Sequence, residues 1–99
     1  MDSIDELDMY EAERRLQLYN EYRDAATVFK YYIETELRAY LCNHQEVEPV
    51  LAGGAGAYFK VTMRDVWIYE AERINRFVPE VVVYSVNDVH VQVLKEEEE

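Results

Sequence analysis

Few residues of this 99-residue chain combine a reactive side chain with a spacing that suits chemistry. Glu34 and Glu36 are two positions apart, so on a strand their carboxylates would share one face at about 7 Å, as in an acid–base pair. Lys30 and Arg38 fall on that same face, and a solvated row of ion pairs accounts for all four charges. We therefore assign no catalytic residue.

Cys42 and His44 alternate in the same way and could point together from one strand face. Two ligands do not make a zinc site, which needs three or four, and His90 or Glu46 would have to join them in space. A nucleophilic Cys–His pair would also need an orienting third residue and an oxyanion hole, which no motif marks. The sequence predicts no metal site.

The glycines of the chain cluster at positions 53, 54 and 56, which suggests a phosphate-binding loop. A Walker loop places lysine directly after its last glycine, but here Lys60 follows Gly56 by four positions. The dinucleotide fingerprint is absent as well. The stretch therefore predicts a flexible loop, and we expect no cofactor.

Asp65 is the most unusual of the candidate residues because it falls in phase with an apolar strand face: Phe59, Val61, Met63 and Trp67. A carboxylate buried on such a face must be paired or protonated. We expect a buried ion pair with Arg73 or Arg76. The alternative is an acid in a pocket beside Trp67.

The N-terminal segment has a helical period. Ser3 followed by Glu6 fits a capping box, and residues 4–24 then carry an apolar stripe at three- and four-residue steps. The stripe consists of Met9, Ala12, Leu16, Tyr19 and Tyr22. We predict a helix from about Ile4 to Asp24.

The next segments alternate with a period of two, which is typical of strands. Residues 29–41 fit a strand with a break near Glu36-Leu37, although they also match a helical face. Residues 45–49 either extend this strand or begin another one. A further strand is predicted over residues 58–69, followed by a connection at 70–76.

The valine-rich segment 81–94 changes phase at Asn87-Asp88. A two-residue hairpin turn explains the change, and one long strand with a bulge at the same point is the alternative. The predicted fold is therefore α+β, with an N-terminal helix packed on an antiparallel sheet of about four strands. We expect one domain over residues 1–95 and an acidic tail at 96–99.

Composition limits the classes of partner. The chain has 10 basic and 21 acidic residues, a net charge of −11, so nucleic acid and anionic membranes are poor partners and a basic protein is a better one. Its single cysteine cannot form an internal disulfide. The acidic first residues do not resemble a secretory signal, and no apolar run could span a membrane, so we expect a cytoplasmic protein.

Three stretches taken together resemble a known family: Leu18–Asp24, Glu34–Asn43, and Asp65–Trp67 combined with Arg76–Val78 and Asp88-Val89. The family consists of small actinobacterial proteins of about this length and of unknown function, often encoded beside ribonuclease HII. The resemblance covers roughly residues 5 to 95. It implies a small cytosolic protein, and it supplies no activity, cofactor or site residue.

One helix can cover only one face of a sheet. The opposite face would carry Tyr32, Tyr40, Val66 and Ile68, which is too apolar to remain exposed. We therefore expect a non-enzymatic protein-interaction module or adaptor that uses this tyrosine-rich face, with a second copy or a basic protein as its partner. The alternatives are a small enzyme or ligand-binding protein with a pocket around Asp65 and Trp67, and an acidic regulator acting through its charged termini.

Overall fold

The computed structural model describes residues 6–51 and 57–95. Within these ranges the chain forms one helix and five strands: α1 (Glu6–Ala25), β1 (Tyr31–Glu34), β2 (Ala39–Leu51), β3 (Ala57–Ile68), β4 (Phe77–Ser85) and β5 (His90–Val93). The strands form a single antiparallel sheet in the order β4-β3-β2-β1-β5. The α+β class is confirmed. Ser3 of the capping box, the three glycines and the acidic tail lie outside the described residues.

Helix α1 is confirmed, but it packs through a different face from the predicted one. Leu18 and Ala25 are buried and Glu21 and Tyr22 are half-buried, whereas most of the predicted stripe is exposed: Met9, Ala12, Leu16 and Tyr19. Glu21 explains the difference. It accepts side-chain hydrogen bonds from Trp67 of β3 and from Arg76 just before β4, and these bonds turn this face of the helix inward.

The break predicted near Glu36-Leu37 is confirmed, because β1 and β2 are joined there by a tight turn. Thr35 N donates to Arg38 O at 3.0 Å to close it. Residues 45–49 extend β2, and residues 70–76 are a connection as expected. The hairpin and the bulge at Asn87-Asp88 are both wrong, since β4 pairs only with β3 and β5 only with β1 among the described residues.

The link between β4 and β5 requires the sheet to fold over. The strand register places Ser85 at the level of Pro49 of β2 and His90 at the level of Ala39, ten residues apart along that strand. In a flat sheet these two ends would lie about 33 Å apart along the strands and about 19 Å across them. The link of residues 86–89 reaches at most about 18 Å. A flat sheet is therefore impossible.

The bend lies where the long strands change phase together. Each of the three strands carries two successive side chains that point away from the interior: Asn43 and His44 on β2, Arg64 and Asp65 on β3, and Pro79 and Glu80 on β4. Asp65 has a φ of 54°, in the left-handed region that aspartate tolerates better than most residues. Because all three strands shift at the same level, their register is the same on both sides of the bend.

The folded sheet encloses one core and supports another. The sheet core lies between its two halves and contains Ile33, Tyr40, Cys42, Val61, Met63, Val66 and Ile68. The helix core lies between α1 and the outer face of the sheet and contains Leu18, Ala25, Phe29, Leu41 and Trp67. No helix in the described part of the chain is long and apolar enough to cross a membrane.

Candidate functional site

A cleft lined by tyrosines lies between the C-terminal half of α1 and the sheet. It has a volume of about 220 Å³, and its lining residues are Tyr19, Tyr22, Tyr32, Ala39 and Tyr69. Tyr19 and Tyr22 are three residues apart and therefore share one side of the helix. Tyr32 comes from β1. Tyr69 directly follows β3, where its N–H donates to Ala39 O at 3.0 Å. We call this feature the tyrosine cleft.

Tyr22 is the central ring of the aromatic cluster that lines the cleft. The centre of its ring lies 6.2 Å from that of Tyr19, 6.1 Å from that of Tyr32 and 5.4 Å from that of Tyr69. The rings of Tyr32 and Tyr69 meet it edge-on, at 72° and 69°. Behind them, the buried ring of Trp67 lies 6.0 Å from Tyr22. The cleft is therefore lined by aromatic rings at several orientations.

Glu21 fixes the helix beside this cleft. Its Oε1 accepts hydrogen bonds from Trp67 Nε1 and from Arg76 Nε, both at 2.7 Å, and its Oε2 accepts one from Arg76 Nη2 at 2.6 Å. The hydrogen bonds from Arg76 lower the pKa of the Glu21 carboxyl and raise the pKa of the guanidinium. Arg14 attaches the middle of the helix by donating to Ala71 O at 2.9 Å.

The phenol groups of Tyr22 and Tyr32 stay neutral at physiological pH. Burial raises the pKa of Tyr32 to about 12, and a hydrogen bond to Glu34 adds to the shift. The pKa of Tyr22 is raised for the same main reason. Tyr32 Oη donates to Glu34 Oε2 at 3.1 Å, so a carboxyl group stands at the edge of the cleft.

A second cleft lies on the convex side of the bend. It has a volume of about 430 Å³ and polar walls: His44, Gln45, Glu46, Thr62, Arg64, Asp65 and Pro79. His44 Nε2 and Asp65 Oδ2 are 4.0 Å apart, with the two side chains 64% and 63% exposed. This distance exceeds hydrogen-bond reach, and such exposure leaves both groups solvated, so the pair lacks the geometry of a catalytic acid–base dyad.

Comparison with known proteins identifies the family. A family described as proteins of unknown function (DUF2469) matches residues 1–99. The chain belongs to this family. It is also similar to uncharacterised proteins of Mycobacterium bovis and Mycobacterium tuberculosis, each 38% identical over 96 residues that cover 97% of this chain and 94% of the relative. The resemblance to small actinobacterial proteins is thus confirmed. No solved structure matches the chain.

The family carries no assigned activity, so the position of each predicted residue in the fold matters. Tyr40, Val66 and Ile68 are buried in the sheet core, and Tyr32 lines the tyrosine cleft on the opposite face. The expectation that these four residues form one exposed face is wrong, because the sheet covers that face by folding over. Only Tyr32 remains available to a partner.

Asp65 is exposed, which corrects the expectation that it is buried. The phase shift at the bend turns it away from Val61 and Met63, and its Oδ2 lies 4.0 Å from Nε2 of His44. Arg76 pairs with Glu21 instead.

The remaining predicted neighbours of Asp65 also lie elsewhere. Arg73 Nη1 lies 3.7 Å from Glu70 Oε2. Trp67 is in the helix core, so it does not share a pocket with Asp65.

The phase shift also separates Cys42 from His44. Cys42 is buried in the sheet core, where burial raises the pKa of its thiol to about 12, and His44 is exposed on the outer side. The turn between β1 and β2 likewise removes Glu36 from the strand that carries Glu34. Among residues 6–51 and 57–95, no three histidine, cysteine or acidic side chains are placed to hold a metal ion.

Glu21 and Tyr69 were not predicted as site residues from the sequence. Glu21 bonds to residues 46 and 55 positions away, and no local pattern reports such a contact. Tyr69 falls at the end of a predicted strand, where alternation cannot say which element it meets. The available signal for an aromatic site was the three-residue spacing of Tyr19 and Tyr22, together with the nine tyrosines of the chain.

Proposed function

We propose that this protein is a non-enzymatic protein-interaction module that binds a basic segment of a partner protein by taking one cationic side chain into the tyrosine cleft. The observation that supports it is the cleft whose walls are formed by four tyrosines: Tyr19, Tyr22, Tyr32 and Tyr69. Neutral tyrosine rings present negative π-faces, which attract an ammonium or guanidinium group.

The size of the cleft favours a side chain over a cofactor. Pockets for cofactors and drug-sized ligands usually measure about 300–1,000 Å³. The tyrosine cleft, at about 220 Å³, lies below this range. One long side chain of a partner suits it better.

Charge favours a cation as the occupant. The chain carries a net charge of −11, which attracts basic segments at long range and repels acidic ones. At short range, Glu34 stands beside Tyr32 and supplies a carboxylate for the incoming group. The same kind of contact already exists within α1, where the guanidinium of Arg14 lies 5.6 Å from the centre of the Tyr10 ring.

The attachment of α1 supports a preformed site. Glu21 bonds to Trp67 of β3, and Arg14 bonds to Ala71 in the connection after β3, so the helix is held on either side of the buried Leu18. The tyrosines of the helix and those of the sheet therefore keep their mutual positions without a ligand, which lowers the ordering cost of binding.

The test is calorimetric titration with a short lysine-rich peptide and with the same peptide fully acetylated on lysine. We expect binding of the first and none of the second, since acetylation removes the charge. Tyr19→Ala should weaken binding about fivefold, which corresponds to about 1 kcal/mol. Tyr10→Ala is the matched control on the same helix, outside the cleft, and should bind like wild type.

Attraction by net charge alone would give a different result. Tyr19→Ala and Tyr10→Ala would then bind the peptide with equal affinity, and this binding would disappear as salt rises. Equal affinity of the two variants, or equal affinity for the two peptides, would contradict the proposal.

A further inference from the structure

The outer edge of β4 lacks the features that usually prevent a strand edge from pairing with another chain. Among the described residues β4 pairs only with β3, so its other edge presents free backbone N–H and C=O groups. Residues 81–85 read Val-Val-Val-Tyr-Ser, with neither a charge nor a proline. Soluble proteins usually protect such an edge with lysine, proline, a bulge or a very short strand.

The opposite edge of the sheet is protected in the last of these ways, because β5 has only four residues. The unprotected edge is therefore confined to one half of β4. Its outward side chains, Val82 and Tyr84, are exposed, and the Tyr84 ring meets that of Tyr58 edge-on at 5.8 Å.

We propose that β4 is a dimerisation strand, which pairs antiparallel with β4 of a second copy and joins the two sheets into one. The two-fold axis passes beside Val83, so that Val82 lies opposite the partner's Tyr84 and Val81 opposite the partner's Ser85. This register pairs the five uncharged residues only with one another. It also sets an aromatic ring against a β-branched side chain, a favourable cross-strand pair.

Charge explains how a chain of −11 can pair with itself here. Glu80 is the charged residue of β4, and it lies 3.6 Å from Arg64 of its own chain. In the proposed register the two copies of Glu80 are six residues apart along the strands, or about 20 Å, which exceeds the Debye length of about 8 Å at physiological salt. The contact is therefore free of close like charges.

The residues of β3 and β2 that lie opposite β4 are also compatible with the proposed dimer. Tyr84 lies opposite Lys60 of β3, which in turn lies opposite Glu48 of β2. Val82 lies opposite Thr62 in the same way. Joining two copies would place Tyr84 and its lysine neighbour beside the partner's Val82 and Thr62, and no two charges of the same sign become adjacent.

The experiment measures molar mass by light scattering across the micromolar range. We expect wild type to approach twice the chain mass of 11.8 kDa as concentration rises. Val82, which is 40% exposed, can be changed without disturbing the interior. Val82→Lys and Val82→Glu should each be monomeric, because the register sets the two copies of position 82 diagonally, about 7–8 Å apart.

An equimolar mixture of the two variants is the decisive sample. Lysine and glutamate then face each other across the two-fold axis, and the dimer should return. Val28→Lys is the control, since Val28 lies in the turn after α1 and is also exposed. It should dimerise like wild type, and circular dichroism should report the same fold for all variants.

Three results would overturn the proposal. Wild type could remain monomeric throughout, which is also the result expected if β4 receives a strand from a different protein. The mixture of variants could remain monomeric. Wild type could grow beyond the dimer, which would mean open-ended association instead of a closed pair.

Discussion

At the scale of single residues, Glu21 joins groups that are far apart along the chain. Replacing it with alanine leaves the buried Trp67 N–H without an acceptor and Arg76 without its carboxylate. We expect Glu21→Ala to lower the free energy of unfolding by about 1–3 kcal/mol, measured by urea denaturation. Glu13→Ala is the matched control, an exposed glutamate of the same helix, and should change it by less than about 0.5 kcal/mol.

Glu21→Gln separates the charge from the hydrogen bond, because the amide oxygen can still accept from Trp67. In the folded protein the pKa of Glu21 is lowered from its usual value of 4.5. The charge of Glu21 therefore stabilises the fold fully above pH 4.5, and this stabilisation is lost as the pH falls through the folded pKa. The gap in stability between wild type and Glu21→Gln should therefore be widest near neutrality and should close in acid. A gap independent of pH would contradict this role.

Asp65 shows how one residue can accommodate the bend. Its positive φ suits glycine and opposes a β-branched side chain. We expect Asp65→Gly to match or exceed the stability of wild type, and Asp65→Val to lose about 1–3 kcal/mol. Thr62, at an ordinary strand position, should show the reverse order, with Thr62→Val tolerated and Thr62→Gly destabilising. The same order at both positions would mean that the backbone of Asp65 is not the constraint.

At the scale of elements, the face of α1 that the sequence pattern predicts to be buried differs from the face that packs on the sheet. Leu16 belongs to the predicted apolar stripe but is 59% exposed, whereas Leu18 is outside it and only 6% exposed. Leu18→Ala should cost about 2–4 kcal/mol through loss of packing in the helix core, and Leu16→Ala less than about 0.5 kcal/mol. Both variants replace leucine with alanine in the same helix, so the contribution of helix propensity cancels when the two losses of stability are compared. Equal losses would mean that the helix docks through the predicted stripe.

The elements themselves were largely predictable, since local period defines them. The helix and the third strand follow from spacing, and the break at Glu36-Leu37 follows from the length of the predicted strand. The burial of Asp65 was predicted wrongly because alternation assumes a continuous strand, and a non-glycine residue gives no sign of a positive φ. The link at 86–89 was misread because a hairpin, a bulge and a crossover all shift the phase equally. Long-range pairing decides among them.

The candidate site was less predictable for a related reason. Its tyrosines come from α1, from β1 and from the residue after β3, and only the folded chain brings them together. Tyr32 was identified as a surface residue, but it was grouped with Tyr40, which the folded sheet buries. The error therefore lay in the topology of the sheet and not in the choice of residue type.

At the scale of the whole molecule, Cys42 reports whether the two halves of the sheet open. Its side chain is completely buried in the sheet core, between residues of both halves. Burial also raises its pKa to about 12, so the closed form holds almost no reactive thiolate. A thiol reagent should therefore react only after the core has opened, at a rate far below that of the urea-unfolded chain.

The labelling rate also tests whether the two cores open together. Leu18 belongs to the helix core and Cys42 to the sheet core. The two cores lie on opposite faces of the same sheet. If both open in one cooperative step, a loss of about 2.7 kcal/mol in Leu18→Ala should speed labelling of Cys42 about a hundredfold, provided that reclosing is faster than labelling. Leu16→Ala should leave the rate unchanged. An unchanged rate in Leu18→Ala would mean that the folded sheet opens on its own while α1 stays in place, because the helix core would then make no contribution to the closure that protects the thiol.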